Sequence, residues 1–181
     1  NCNSNPTAEQ LQDIVDIQEI VIDPIYVIQD LEALSQMAFL EKLIVNNNQI
    51  YDLSPLSDKE FMRILSISGN PVDDISALEN MFLLEDLDIE NTAVADLTPI
   101  SNLQNIKVLN IGGTSVKNLK PISDFNKLED LSIINTAVKN LHPVKDLPSL
   151  RHLTAFKTKV AKKDILLLRQ NRPELNVIYY D

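Results

Sequence analysis

The feature that most constrains the fold of this chain is a repeat of 22 residues. Residues 84–149 divide into three segments of that length that align without gaps, namely LEDLDIENTAVADLTPISNLQN, IKVLNIGGTSVKNLKPISDFNK and LEDLSIINTAVKNLHPVKDLPS. Apolar residues recur at the same seven positions of each segment. One such unit is too small to bury its own apolar side, so it is stable only against its neighbours. A fixed period of this length therefore predicts a solenoid.

A second motif follows the turn of several repeats, where an Asp or Asn precedes Leu-x-Pro and a further apolar residue. It occupies residues 52–56, 96–100, 118–122 and 140–144. Together with the 22-residue period, it identifies a leucine-rich repeat and resembles the short-repeat bacterial surface family typified by the internalins. The resemblance covers residues 18–181. It implies an α/β solenoid, a right-handed superhelix with parallel strands on its concave face.

Counting by 22 residues predicts about eight strands, each built on a short Leu-x-Leu segment. The count places Val21 in register with Leu43 in the first strand, and Leu175 in register with Leu153 in the last. Return segments of about 15 residues are too short for a helix and two loops, so we expect 3₁₀ turns on the convex face. Lys59 interrupts an apolar column of that face, and we expect its ammonium to reach water.

The turn after each strand changes its polar residue along the chain. Asn48 and Asn70 occupy this position in the early repeats, and threonine replaces them from the fourth repeat onward. An inward amide can pair with backbone groups that the bend leaves unpaired, whereas a hydroxyl forms fewer hydrogen bonds. We therefore expect the later turns to be satisfied less completely.

The domain organisation follows from where the period starts and stops. We expect residues 1–6 to form a flexible polar leader and residues 7–17 to form an N-terminal capping helix with one apolar stripe. Leucine-rich repeats fill residues 18–163, and residues 164–181 form a C-terminal capping helix and the last strand. We expect Asp164 to be the N-cap of that helix. Both end elements cover apolar edges of the stack that would otherwise face water.

Cys2 is the only cysteine, which excludes an internal disulfide framework and a multi-thiolate zinc site. Two interpretations of this residue stay open. The cysteine is either a lipid anchor, as in bacterial lipoproteins, or an exposed thiol in a terminal tail. No apolar run reaches the roughly 18 residues of a transmembrane helix, so we expect no transmembrane segment.

The charge of the chain is divided between its two halves. Residues 1–100 carry 19 acidic and 3 basic side chains, whereas residues 101–181 carry 7 acidic and 13 basic ones. The net charge of −10 makes nucleic acid an unfavourable main partner. The division either orients a charged partner during encounter or only keeps the surface solvated.

No catalytic constellation is visible in the sequence. His142 and His152 have no cysteine nucleophile near them in the repeat, and a lone histidine is usually a polar surface residue. Gly112-Gly113 lacks both a phosphate-loop lysine and the spacing of a dinucleotide fingerprint. We therefore expect no enzymatic activity, no cofactor and no metal.

The candidate site is the set of strand side chains that point away from the core, in three rows on the concave face. The count also places Ile20 and Ile22 in these rows. Outward apolar residues either mark a recognition surface or reflect β-propensity alone. Three carboxylates in one strand are too far apart for calcium and are expected to attract a basic partner. The partner-binding candidates are Ile44, Ile64, Asp86, Asp88, Glu90, Val108, Asn110, Asp130, Ile134, His152 and Phe156.

The function that follows is a non-enzymatic protein–protein interaction module that binds a protein partner on the concave face. The resemblance to internalins implies a monomer that is extracellular, as part of a bacterial cell-surface or secreted protein. The alternative is a cytoplasmic adaptor, similar to the phosphatase-regulating family of leucine-rich-repeat scaffolds, which shares the repeat length.

Overall fold

The computed structural model describes residues 17–22 and 27–180, and these form a solenoid around one parallel sheet. Eight strands are found in this part of the chain, and they are hydrogen-bonded in sequence order. The predicted fold class is therefore confirmed. The strands are β1 (Glu19–Val21), β2 (Lys42–Ile44), β3 (Ile64–Ser66), β4 (Asp86–Asp88), β5 (Val108–Asn110), β6 (Asp130–Ser132), β7 (His152–Thr154) and β8 (Asn176–Ile178).

The core is a stack of apolar columns that lies between the sheet and the return segments. In the regular coils, the middle residue of each strand is buried, and so is the residue two positions later, as in Leu109 and Ile111. Strands β2 to β7 each begin one residue before the predicted Leu-x-Leu segment. The ladder nevertheless continues past it, because Val45 N donates to Ser66 O at 2.9 Å. The repeat therefore buries the residues that its period predicts.

The convex side consists of short 3₁₀ helices, as predicted, in five of the return segments. Proline occupies the first turn of three of them, where its missing N–H leaves no bond unmade. The sixth return segment differs, since residues 142–146 form a turn in which Lys145 N donates to Leu141 O. The 3₁₀ helices are Glu32–Leu34, Ser54–Leu56, Ser76–Leu78, Thr98–Ile100 and Lys120–Ile122.

The seventh return segment is a true helix, α1 (Lys162–Asn171). Its N-cap position is Ala161, so the prediction of Asp164 as N-cap was wrong. Asp164 instead lies in the first turn, where a negative charge favours the helix macrodipole. After the helix, the Arg172 guanidinium donates to the carbonyl oxygens of Lys145, Leu147 and Leu150 at 2.9–3.2 Å. This side chain fastens the C-terminal element to the coil before it.

The register at the N-terminal end differs from the count. Leu43 pairs with Ile20 and not with Val21, so this step is longer than the repeat by a single position. Ile20 and Ile22 therefore pack against the core, and Val21 is 63% exposed on the other side of the sheet. The expectation that Ile20 and Ile22 lie on the concave face was wrong. The predicted leader and almost all of the N-terminal capping helix lie outside the described residues.

The register at the C-terminal end is also longer than the count. Leu153 pairs with Val177, so Leu175 is not the residue in register, and the step exceeds the repeat by two positions. The helical return segment accounts for this additional length. The side chains of β8 consequently fall two positions later than predicted.

Lys59 is buried, contrary to the expectation that its ammonium reaches water. Its side chain is 1% exposed and Nζ donates to Ser35 O at 3.0 Å. It occupies the apolar column between Met37 and Met81, and burial lowers its pKa, against the opposing effect of the Asp58 charge. Packing in the apolar column therefore outweighs hydration of the ammonium in fixing the position of this side chain.

The turns that follow the strands place one residue per coil in the left-handed region, with φ between 53° and 69°. Asparagine and glycine tolerate this conformation better than other residues. At Gly113, an added Cβ would also lie 2.2 Å from Asn91 Oδ1. Lys157 is the exception to the residue preference. The column consists of Asn47, Gly69, Asn91, Gly113, Asn135 and Lys157.

The next position of each turn carries the predicted asparagine or threonine. Asn70 donates to Val45 O and Ile67 O and accepts from Ile50 N, so its amide connects two coils. Thr114 donates only to Ile111 O, at 2.7 Å and within its own coil. The difference agrees with the expectation that threonine turns are satisfied less completely.

No helix in the part of the chain that the structure describes is long and apolar enough to cross a membrane.

Candidate functional site

The outward side chains of the sheet form three rows on the surface that we call the concave face. The strand pairings place Ile64, Asp86, Val108, Asp130 and His152 side by side in the first row. The second row includes Ile44, Ser66, Asp88, Asn110, Ser132 and Thr154. The third row follows the strands and includes Asn46, Glu90, Gly112, Ile134 and Phe156. All eleven candidate residues lie in these rows.

A ladder of hydrogen bonds fixes the polar residues near the centre of the concave face. Ser66 Oγ lies 2.8 Å from Asn46 Oδ1 and 2.9 Å from Asp88 Oδ2. Asn110 Nδ2 donates to Glu90 Oε2 at 3.1 Å. Since a hydroxyl has a single hydrogen, Ser66 can donate to only one of its two acceptors at a time. The carboxylates are thus held in defined positions before any partner arrives.

Asp86 is the carboxylate whose ionisation the fold opposes. Its strand neighbours in the first row are Ile64 and Val108, which remove water from both sides. Burial raises the pKa of Asp86, and the negative charge of Asp88 raises it further. An ionised carboxylate at this position therefore lowers the stability of the folded state.

Asp130 and His152 face each other across β6 and β7, with Nδ1 of the imidazole 2.7 Å from Oδ1 of the carboxylate. Ser132 is two residues from Asp130, so the three residue types of a hydrolytic triad lie close together. However, Ser132 Oγ is buried and has no hydrogen-bond partner among the described residues. A serine nucleophile is activated through a hydrogen bond to its base, and this arrangement lacks that bond.

The C-terminal end of the concave face is apolar. Phe156 and Tyr180 have ring centroids 5.8 Å apart, and Ile178 continues the second row beside them. Tyr180 is 70% exposed and Ile178 is 37% exposed. Sequence reasoning missed these two residues because it continued the rows by the regular period, whereas the last step is longer. The sequence carries no signal for them, because the length of the last step follows from the pairing of β7 with β8.

A metal site is not evident in the described part of the chain, where no group of three or more His, Cys, Asp or Glu side chains could hold an ion. Asp88 accepts hydrogen bonds from Ser66 and from the backbone N–H of Glu90. Glu90 in turn accepts one from Asn110. These oxygens are directed at neighbouring protein donors, whereas calcium requires six to eight oxygens that converge on one point.

Exposed aromatic residues also lie on a second surface, the edge from which the chain enters the strands. The rings of Phe39 and Phe61 are 5.5 Å apart, and Phe82 lies one coil further on. All three are between 42% and 53% exposed. This edge is the main apolar surface against which the concave face has to be compared.

Comparison with solved structures identifies the fold family. No family model matches the chain, and no curated protein sequence matches it. Among solved structures, an internalin (InlF) from Listeria monocytogenes superimposes with a TM-score of 0.85 at 26% identity over 94% of this chain. Internalin C2 from the same organism gives a TM-score of 0.84 at 26% identity over 95% of the chain. The chain is a leucine-rich-repeat solenoid that resembles the internalins.

This chain spans half the length of the InlF chain and 77% of the internalin C2 chain. A leucine-rich-repeat protein from Leptospira interrogans matches with a TM-score of 0.69 at 15% identity, over 81% of this chain and 44% of its own. At that identity the likeness concerns the fold alone. Together these matches agree with the eight parallel strands and 3₁₀ turns described above.

Proposed function

We propose that this leucine-rich-repeat protein is a non-enzymatic protein–protein interaction module, part of a bacterial cell-surface or secreted protein, and that its partner binds on the concave face. The likeness to two internalins supports the class of function. The observation that carries the proposal is the apolar group at the C-terminal end of that face, where Ile178 and Tyr180 are exposed beside Phe156.

Folding does not require these apolar side chains. The core columns are complete on the other side of the sheet, where Leu131 and Leu153 are at most 2% exposed. Aromatic and aliphatic side chains exposed in one patch are typical of recognition surfaces, in which a few large residues contribute most of the binding free energy. Phe156 and Tyr180 are the candidates for that role.

The carboxylates of the central coils indicate the charge of the partner. Asp86 and Asp88 are neighbours on one strand, although burial and mutual repulsion oppose the ionisation of Asp86. A charged group that lowers folding stability is typical of a functional position. We infer that the partner presents basic residues to Asp86, Asp88, Glu90 and Asp130 and an apolar surface to Ile134 and Phe156.

Attachment to the cell surface is proposed through Cys2, as a lipidated cysteine. The test is metabolic labelling with a clickable fatty acid in the native host, comparing the wild-type protein with Cys2→Ala. Label that is lost in the variant supports the anchor. Equal labelling of both proteins, or of neither, contradicts it.

The binding surface can be located by introducing a photo-crosslinking amino acid at single positions. Val108 in the middle of the concave face is 36% exposed, and Phe61 on the strand-entry edge is 45% exposed, so the two positions are matched in accessibility. Lys120 on the convex side is the third position. We expect a discrete crosslinked species from Val108 and none from the other two. Crosslinking from Phe61 or Lys120, with none from Val108, contradicts a concave site.

A further inference from the structure

A second charged surface lies on the edge where the chain leaves the strands. This strand-exit edge consists of the turn after each strand and the extended segment that follows it. Val94, Val116, Val138 and their equivalents are buried there, and the two residues after each of them are exposed. Its charge changes sign halfway along the solenoid. The earlier coils carry Asp52, Asp73, Asp74 and Asp96, and the later coils carry Lys117, Lys139, Lys157, Lys159 and, in the first turn of α1, Lys163.

The sign changes while the Asp or Asn before each convex turn keeps the same hydrogen bond. Asp74 and Asp96 accept a hydrogen bond from the backbone N–H two residues later, at 2.8 and 2.9 Å. Asn118 and Asn140 accept the same bond at 3.0 and 2.8 Å. The amide therefore preserves the turn and removes a negative charge that would lie beside a lysine. The later coils keep the fold of the earlier ones and differ in charge.

The lysines of the later coils are available to a ligand. All five are exposed, and none of them forms an ion pair with any residue that the structure describes. By contrast, Arg63 and Lys107 both contact Glu85. The coils are adjacent, since Lys159 N donates to Val138 O at 3.0 Å, and parallel strands repeat every ~4.8 Å. Lys117 and Lys139 thus occupy equivalent positions of adjacent coils, and Lys157, Lys159 and Lys163 lie in the next coil.

We propose that the lysine cluster Lys117, Lys139, Lys157, Lys159 and Lys163 binds a linear polyanion whose repeated groups are phosphate or sulfate. Lysine acts as a point charge, without the bidentate geometry by which arginine selects single oriented groups. The cluster is therefore suited to charge density along a flexible polymer. The carboxylates of the earlier coils repel the same polymer and restrict it to the C-terminal half. This surface is separate from the concave face and does not depend on a protein partner.

The test is a titration of the whole chain with long-chain inorganic polyphosphate and, separately, with heparin, at several salt concentrations. Counterion release makes log K fall linearly with log[salt], with a slope proportional to the number of contacts. We expect Lys117→Gln/Lys139→Gln/Lys159→Gln to lower the affinity at least tenfold and the slope by about 2. Lys120→Gln/Lys127→Gln/Arg151→Gln removes the same charge from other surfaces and should leave the slope unchanged.

The two polymers distinguish the sources of the anionic groups. Binding of polyphosphate alone assigns the cluster to phosphate polymers, binding of heparin alone assigns it to sulfated polysaccharides, and either result supports the proposal. Equal loss of affinity in both triple variants overturns it, because net charge and not the cluster would then control binding. Absence of binding to both polymers, or a preference for duplex DNA or for anionic lipid vesicles, also overturns it.

Discussion

Lys59 Nζ donates a hydrogen bond to the backbone carbonyl of Ser35 from a side chain that is 1% exposed. The same column holds Met37 in the preceding coil and Met81 in the following one. Burial lowers the pKa of Lys59, which means that the folded state opposes its charge. The coil therefore contains a cation at a position that its neighbours fill with methionine.

We expect Lys59→Met to raise the free energy of unfolding at neutral pH by about 1 kcal/mol, because an apolar side chain of similar length replaces a buried charge. Chemical denaturation of the two proteins measures the difference. Lys59→Met should also flatten the rise in stability that the wild type shows as the pH approaches the ordinary lysine pKa. A destabilised variant would mean that the bond to Ser35 outweighs the desolvation of the ammonium.

Asp86→Asn should stabilise the protein at neutral pH. The pKa of Asp86 is raised in the folded state, so ionisation is easier after unfolding, and stability falls as the pH rises through that range. Below the ordinary aspartate pKa of about 3.9, the carboxyl is protonated in both states and the advantage should vanish. Melting temperatures measured from pH 3 to pH 8 test this, and an advantage that is independent of pH would contradict it.

Two adjacent glycines differ in how well the fold tolerates a side chain. Gly113 has a φ of 66°, and a Cβ there would lie 2.2 Å from Asn91 Oδ1, whereas at Gly112 the nearest atom would be 3.3 Å away. Gly113→Ala should lower the free energy of unfolding by ~1–2 kcal/mol, the cost of a left-handed residue with a side chain. Gly112→Ala is the matched control and should cost less. Equal losses in urea titrations would mean that neither the left-handed conformation nor the contact with Asn91 requires glycine at position 113.

Leu109→Ala tests the core column in the middle of the stack. Leu109 is 1% exposed and pairs with coils on both sides, so the substitution should cost ~2–5 kcal/mol. Thr114→Val, which removes one hydrogen bond to Ile111 O, should cost roughly 0.5–1.5 kcal/mol. If equilibrium denaturation placed Leu109→Ala within error of the wild type, the proposed core would be wrong.

The regular coils could be predicted from the sequence because every step from β2 to β7 has the length of the repeat. The end coils could not, because one additional residue between Ile20 and Ile28 and two more around α1 shift the register. Ile20, Val21 and Ile22 are all apolar, so the sequence pattern does not show which of them face the core and which face solvent. Pairing with Leu43 then decides which residues face the core.

The candidate site was predictable to the same extent. The outward positions of the central strands follow from alternation, so Asp86, Val108 and Asp130 could be placed in one row. Ile178 and Tyr180 could not, since they depend on the register of the last strand. The hydrogen bonds that orient Asp88 and Glu90 require side-chain geometry that no spacing encodes.

The measurement that tests the central claim most directly is the binding kinetics of concave-face variants, determined by surface plasmon resonance with the partner that Val108 crosslinks. Phe156→Ala should raise the dissociation rate by about tenfold, the effect of losing ~1.4 kcal/mol at a binding hot spot. Asp86→Asn/Asp88→Asn should slow association, mainly at low salt, where screening is weak. The convex control Lys120→Gln should behave as the wild type. Wild-type kinetics in both concave variants, with binding lost in the convex control, would contradict the account.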